Sequence, residues 1–377
     1  MVTGVRTAAD QSSATGPLPA HHMLLTPARL GSVELPNRIL MAPMSRMRAA
    51  DDGTPSEMMA DFYAQRATAG LIISEGTFPT ALGRAYLNQP GLHTCAHQRG
   101  WSGVADKVRA AGGRIFVQLM HAGRISHPDI LHGSTPVAPS AVRPQGMVHT
   151  ATGKRPFVQP RALTIEEVRS IASEFADAAR RALAAGADGV ELHAANGYLL
   201  AQFLSPSTNH RADAYGGSAE NRARIVVEVA RAIASKIGAV NVGVRLSPGN
   251  PENDVRDHDD ETYVAVAEQL RALGLAYLHV RATPDQKVLH RLRRRWHDGL
   301  VLNQGLTSEP ITRKQAAKVL EEGLADAVTI GRAFLANPDL VRRWAAGAEL
   351  NEIRPAFLYG GGSAGYTDYP VLPPDPT

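Results

Sequence analysis

Residues 165–198 read IEEVRSIASEFADAARRALAAGADGVELHAANGY, and the architecture follows from them. A helical stretch, Ile165 to Ala185, stops at Gly186 and is followed by the short apolar strand Gly189-Val190-Glu191-Leu192-His193. Thr164 with Glu167 three residues later forms a capping box that starts the helix. Glycine just past the last helical residue supplies the left-handed turn that sends the chain back into a strand. The strand then gives way to a polar set, His193, Asn196 and Tyr198, spread over six positions.

On either side the same unit recurs. Ser56 to Ala69 stops at Gly70 before Leu71-Ile72-Ile73-Ser74-Glu75, and Gln98 to Ala111 stops at Gly112 before Arg114-Ile115-Phe116-Val117-Gln118. Asp259 to Leu273 stops at Gly274 before Tyr277-Leu278-His279-Val280, and Ile311 to Glu322 stops at Gly323 before Ala327-Val328-Thr329-Ile330. With Ile39 to Ala42, Val242 to Leu246 and Leu300 to Leu302, eight strands alternate with helices. This is the count of an α/β fold of the (β/α)8 TIM barrel type, and near-continuous apolar runs suit a parallel sheet buried on both faces. A doubly wound sheet is the alternative, and even spacing without a break favours closure.

One interval departs from the spacing. From His121 to Leu163 the chain is rich in Pro and Gly, which predicts an insertion after strand 3, at about 121–163, covering the barrel mouth. Residues 1–22 lack apolar periodicity and are expected to be a disordered extension, leaving 23–377 as one domain.

Composition narrows the chemistry. A chain of 377 residues that is 44% hydrophobic can bury a large core, and no apolar run reaches the length of a membrane span or fits a signal peptide. A cytoplasmic protein without a membrane partner is expected. The lone Cys95 excludes an internal disulfide and a thiolate-held cluster, and His93, Cys95 and His97 read as a polar loop before a helix rather than a metal site. A net charge of +4 does not call for nucleic acid. The run Arg291, Arg293, Arg294, Arg295 reads as a solvated helix face, with the phosphate of a nucleotide cosubstrate as its functional alternative.

Catalytic groups in such barrels stand at the C-terminal strand ends. There the sequence places Pro43, Met44, Ser45 and Arg46, then Glu75 and Gly76, then Gln118, then His193 to Tyr198, then Arg245, Asn303-Gln304-Gly305 and Gly331-Arg332. Loops after strands 7 and 8 commonly hold a phosphate, and Gly305, Gly331 and Arg332 suit that task. A single phosphate grip without GxGxxG fits a mononucleotide such as FMN, a phosphorylated sugar or PLP. No lysine at a strand end supports the Schiff-base chemistries.

Longer matching stretches carry a resemblance. They include Pro36-Asn37-Arg38, Ala42-Pro43-Met44-Ser45-Arg46, Gly123-Arg124-Ile125-Ser126, Val190 to Tyr198, Gln202-Phe203-Leu204-Ser205-Pro206, Tyr215-Gly216-Gly217-Ser218 and Gly365-Tyr366-Thr367-Asp368-Tyr369-Pro370. From Leu24 to about Pro370 the sequence resembles the Old Yellow Enzyme family of FMN-dependent ene reductases, including 12-oxophytodienoate reductase-like members.

The resemblance implies non-covalent FMN, reduced by NADPH or NADH, and an α,β-unsaturated carbonyl or nitro substrate that takes its turn in the same site. It implies cofactor contacts from Pro43, Met44, Gly76, Gln304, Gly305, Gly331 and Arg332. Ser45, where relatives more often carry threonine, would donate to the flavin O4 edge, Gln118 would read the pyrimidine edge, and Arg245 would sit near N1 and O2. His193 and Asn196 would hold the substrate carbonyl oxygen while Tyr198 protonates the α-carbon. Met120, where relatives often carry tryptophan, and Tyr359 would line the substrate pocket. The alternative is a biosynthetic isomerase or dehydrogenase on the same flavin barrel, and a non-enzymatic flavin binder is disfavoured by donors aimed at a substrate. The oligomeric expectation is a monomer or homodimer.

Overall fold

Eight parallel strands close on themselves: β1 (Ile39–Met41), β2 (Ile72–Ile73), β3 (Ile115–Leu119), β4 (Gly189–Ala194), β5 (Val242–Leu246), β6 (Tyr277–Ala282), β7 (Leu300–Gln304) and β8 (Ala327–Ile330). The last strand pairs with the first through Val328 and Ile39, which removes any sheet edge and excludes the doubly wound alternative. The computed structural model describes residues 20–256, 259–283, 285–297, 299–305 and 310–373. Around the strands lie α1 (Glu57–Ala64), α2 (Cys95–Ala110), α3 (Ile165–Ala184), α4 (Ala219–Ile237), α5 (Asp260–Arg271), α6 (Lys287–Arg293), α7 (Arg313–Glu321) and α8 (Leu340–Ala346).

The strand runs look uniformly apolar in sequence, yet alternate residues have different destinations. Val190, Leu192, Ala194, Val242, Val244, Leu246, Leu278 and Val280 pack outward in the large helix-covered core. Leu40, Leu71, Ile73, Phe116, Tyr277, Val301 and Ala327 fill the barrel interior as a second cluster. Gly243 makes room there: a Cβ on it would lie 2.2 Å from the Tyr277 ring. Above this apolar floor the inward positions turn polar, with Gln118, Glu191, His193, Arg245, His279 and Thr329 all buried. Apolar burial near the N-terminal strand ends therefore stabilises a polar layer near the C-terminal ends.

The N-terminal end is plugged by a hairpin, Ala28–Leu30 against Val33–Leu35, whose Leu30, Val33 and Leu35 join the interior cluster. Periodicity missed it because each strand has three residues. The expected extension 1–22 is shorter in one respect: Ala20–Leu25 form a 3-10 helix. Residues 1–19 lie outside the described residues.

Two helix boundaries differ from the sequence expectation for local reasons. Thr94 caps α2 by accepting from the His97 amide, so Cys95 and His97 belong to its first turn and not to a preceding loop. α1 begins after Ser56, whose hydroxyl accepts from the Met59 amide, but it ends at Ala64 rather than Ala69. Just beyond it the Arg66 side chain turns across to the Phe334 and Leu335 carbonyls. The 121–163 stretch is not structureless: Val137–Ala138 pairs with Arg161–Ala162, and Met147–Thr150 forms a hairpin with Gly153–Pro156. Among the described residues no helix is long and apolar enough to cross a membrane.

Candidate active site

A cavity of about 1070 Å³ opens at the C-terminal strand ends. Pro43, Met44, Ser45, Gly76, Gln118, Met120, His193, Asn196, Tyr198, Arg245, Gln304, Gly305, Gly331, Arg332 and Tyr359 all line it. Tyr359 is two-thirds exposed and stands at the rim rather than in the depth. The insertion contributes Gln145 to His149 and Phe157 to the wall.

His193 is the penultimate residue of β4, inward-facing beside Arg245 of β5. Its Nδ1 accepts from the Ala195 amide at 3.2 Å, which leaves the proton on Nε2. Burial, reinforced by the Arg245 charge, pulls the imidazole down to about 3, so the ring is a neutral donor at ordinary pH.

Asn196 stands in the left-handed region at φ +54°. Its amide donates to Ser247 Oγ at 2.7 Å and its carbonyl accepts from Asn253 Nδ2 at 2.7 Å. The side-chain Oδ1 accepts from Asn250 Nδ2 at 2.9 Å and from Arg281 Nη1 at 3.2 Å. Two donors on the oxygen fix the orientation of the amide and leave Nδ2 as the donor for the cavity. Sequence analysis missed Ser247, Asn250, Asn253 and Arg281, since no periodicity marks residues that act only by holding another.

Tyr198 caps the short helix Leu199–Leu204 and packs edge-on to the His193 ring. Its hydroxyl lies 2.5 Å from that of Tyr86, another cavity residue that sequence analysis missed. Burial and the neighbouring Tyr86 hold the Tyr198 phenol well above its ordinary range, so it keeps its proton. Met120 packs with Tyr198, Ile125, Val148 and Phe157 in a small apolar cluster that walls this side.

On the opposite wall, Glu75 Oε2 accepts from the amides of Arg46 and Met47 at 2.9 and 3.1 Å, which sets the loop that carries Ser45. Arg245 donates from Nη2 to Asn303 Oδ1 at 2.8 Å and approaches His279 Nε2 at 3.4 Å. Both are neutral groups, so no carboxylate among the described residues touches the Arg245 guanidinium directly. Burial lowers the guanidinium to about 10, still charged at neutral pH.

The basic run serves the scaffold. Arg291 is bidentate to Glu261, Arg293 is bidentate to Asp326, and Arg295 meets Glu268 at 2.5 Å. None of the run lines the cavity. His97 is likewise occupied, with its Nδ1 accepting from the His93 amide and its Nε2 against the Asp52 carbonyl.

Comparison with known proteins converges on one family. Residues 23–351 match the model of the NADH:flavin oxidoreductase / NADH oxidase family. A probable flavin mononucleotide-dependent alkene reductase of Leishmania infantum is 40% identical over 93% of this chain and 98% of its own length. The solved Old Yellow Enzyme homologue of Zymomonas mobilis superposes with a TM-score of 0.89 at 40% identity, covering 93% of this chain and 99% of that one. The chain belongs to the Old Yellow Enzyme family. It is thus an NAD(P)H-dependent flavin oxidoreductase that uses FMN. Morphinone reductase, solved with tetrahydroNAD, is similar at 43% identity and a TM-score of 0.88, over 93% of this chain and 98% of that one.

The cavity of this Old Yellow Enzyme family member suits FMN on its own chemistry. Among the described residues Arg245 Nε and Gln304 Oε1 are buried there without a protein partner, one a cationic donor and one an acceptor. Unpartnered buried polar atoms are costly unless a bound group satisfies them. Gly305 has φ +86° with open space where a Cβ would stand, which leaves its backbone accessible beside Arg332.

Proposed function

We propose that this enzyme reduces the C=C bond of α,β-unsaturated carbonyl compounds, and of nitroalkenes, with NAD(P)H in a ping-pong cycle. The observation that carries the proposal is the convergence of a fixed Nε2–H donor on His193, a fixed Nδ2 donor on Asn196 and a protonated Tyr198 in one cavity.

In this reading Gln118 and Arg245 hold the flavin pyrimidine edge, Ser45 donates near O4, and Arg332 with Gly305 and Gly331 takes the phosphate. Pro43, Met44, Gly76 and Gln304 complete the cradle. When bound there, FMN would supply the redox chemistry, hydride transfer from the nicotinamide to the β-carbon of the alkene. His193 and Asn196 donate to the carbonyl oxygen, and their hydrogen bonds strengthen as negative charge builds there. Because both donors are held by neighbours before substrate arrives, little reorganisation accompanies the charge build-up. Tyr198 Oη gives its proton to the α-carbon, and Tyr86 keeps that phenol in place. Met120 and Tyr359 bound the substrate side. A phenol that stays protonated favours completed addition across the alkene over isomerisation or dehydrogenation.

Label tracing tests this assignment. With 2-cyclohexenone and NADPH deuterated at nicotinamide C4, deuterium is expected at the β-carbon of cyclohexanone. With unlabelled NADPH in D2O it is expected at the α-carbon. Label at the opposite positions, or no saturated product, overturns it.

A further inference from the structure

Beneath the catalytic donors lies a buried polar network that the mechanism above does not use. Glu191 is fully buried on β4, two residues below His193 and directly opposite Gln118 of β3. Its Oε1 accepts from Gln118 Nε2 at 2.7 Å, while its Oε2 accepts from Tyr277 Oη at 3.0 Å and His279 Nδ1 at 2.8 Å. His279 stands level with Arg245 in the sheet register, and its Nε2 meets Thr329 Oγ1 at 3.0 Å and Arg245 Nη1 at 3.4 Å. A chain of contacts therefore runs from Gln118 through Glu191 and His279 to Arg245.

We infer that Glu191 is a positioning residue that sets the redox poise of the bound flavin through Gln118 and Arg245. The inference rests on the proposed placement of those two residues at the flavin.

Two physical effects carry it. First, Glu191 takes a Gln118 N–H, which fixes the orientation of that amide and leaves the Gln118 carbonyl for the cavity it lines. Second, the carboxylate sets a negative charge two contacts from Arg245. Burial opposes ionisation of Glu191, but His279, Arg245 and Gln118 outweigh it and bring the carboxyl below its ordinary range. Burial and Arg245 hold His279 down, so its Nδ1–H donates to Glu191 and its Nε2 accepts. Three donors occupy the carboxylate oxygens, so Glu191 is not a proton-transfer group. Arg245 favours the electron-rich reduced flavin, and Glu191 opposes that pull.

Replacing Glu191 with Gln removes the charge at nearly constant volume. The midpoint potential of the FMN-loaded Glu191→Gln enzyme, measured by dye equilibration, should rise by at least tenfold in the two-electron equilibrium, about 30 mV. Tyr277→Phe removes one hydrogen bond but keeps the charge, so its two-electron equilibrium should stay within threefold of wild type. Should Glu191→Gln not fold, Glu191→Leu/His279→Leu exchanges the buried pair for apolar groups and carries the same expected rise. An unchanged or lowered potential in either charge-removing variant overturns the inference. Arg245→Gln separates the two levels: its potential should fall. If it falls while Glu191→Gln is unchanged, only the role of Glu191 fails. If Arg245→Gln leaves the potential unmoved, the placement of Arg245 at the flavin fails as well.

Discussion

The hydroxyl oxygens of Tyr86 and Tyr198 lie 2.5 Å apart, so one phenol donates to the other inside the cavity. Tyr86 comes from the loop after β2 and Tyr198 from the turn after β4, two strands that flank β3 in the barrel.

From this pairing, Tyr198→Phe should slow reoxidation of the reduced flavin by enone about 100-fold, the usual worth of a positioned general acid. Flavin reduction by NADPH should be unaffected. Tyr86→Phe leaves the proton donor present but less well held, so reoxidation should slow by no more than about tenfold. Rapid-mixing measurements of each half-reaction decide this, and equal slowing of both half-reactions by Tyr198→Phe contradicts its role.

Asn250 acts one step behind the substrate. Its Nδ2 is one of two donors that fix the Asn196 side chain. Asn250→Ala should raise the KM for enone by about three- to tenfold, the worth of one hydrogen bond, with FMN content unchanged. An unaltered KM indicates that Arg281 alone holds the amide.

The groups that face the substrate are also expected to be insensitive to pH over the neutral range. His193 is held down near 3, while Tyr86 and Tyr198 are raised above their ordinary value, so none of the three titrates between about pH 5.5 and 8.5. The enone half-reaction should accordingly show no inflection near 6.5 that disappears in His193→Asn. Such an inflection, lost on substitution, means that the imidazole acts as a charged acid.

Stability, by contrast, should depend on pH on the acid side. Burial holds His121 near 4, and burial with Arg245 holds His193 near 3, whereas both titrate near 6.5 in an unfolded chain. Between about pH 6.5 and 4 the unfolded chain binds protons that the fold excludes, so stability is lost as pH falls through that window. The urea midpoint should drop from pH 7.5 to pH 5, with a smaller drop in His121→Gln. A midpoint independent of pH contradicts this.

The barrel was legible because four of the five helix–glycine–strand units keep the local rule, with Gly112, Gly186, Gly274 and Gly323 at positive φ, and the residues just past each strand fall where the fold makes its cavity. The supporting polar network was not. Glu191 and His279 sit inside runs that look like core strands, and only inward-facing parity on a closed barrel shows that they meet. Tyr86, Asn250 and Arg281 lie on loops or strand ends whose partners are fixed by three-dimensional closure alone. The arginine run, which reads in sequence as a solvated helix face, pairs with neighbouring carboxylates on α5 and before β8, partners that only the fold reveals.

Anaerobic rapid mixing of the FMN-loaded enzyme with one equivalent of NADPH, followed by 2-cyclohexenone, follows both halves of the proposed cycle by absorbance. The flavin band should bleach with NADPH and return on addition of enone, with one equivalent of cyclohexanone formed. A flavin that bleaches and stays reduced in the presence of enone contradicts ene reduction by this site.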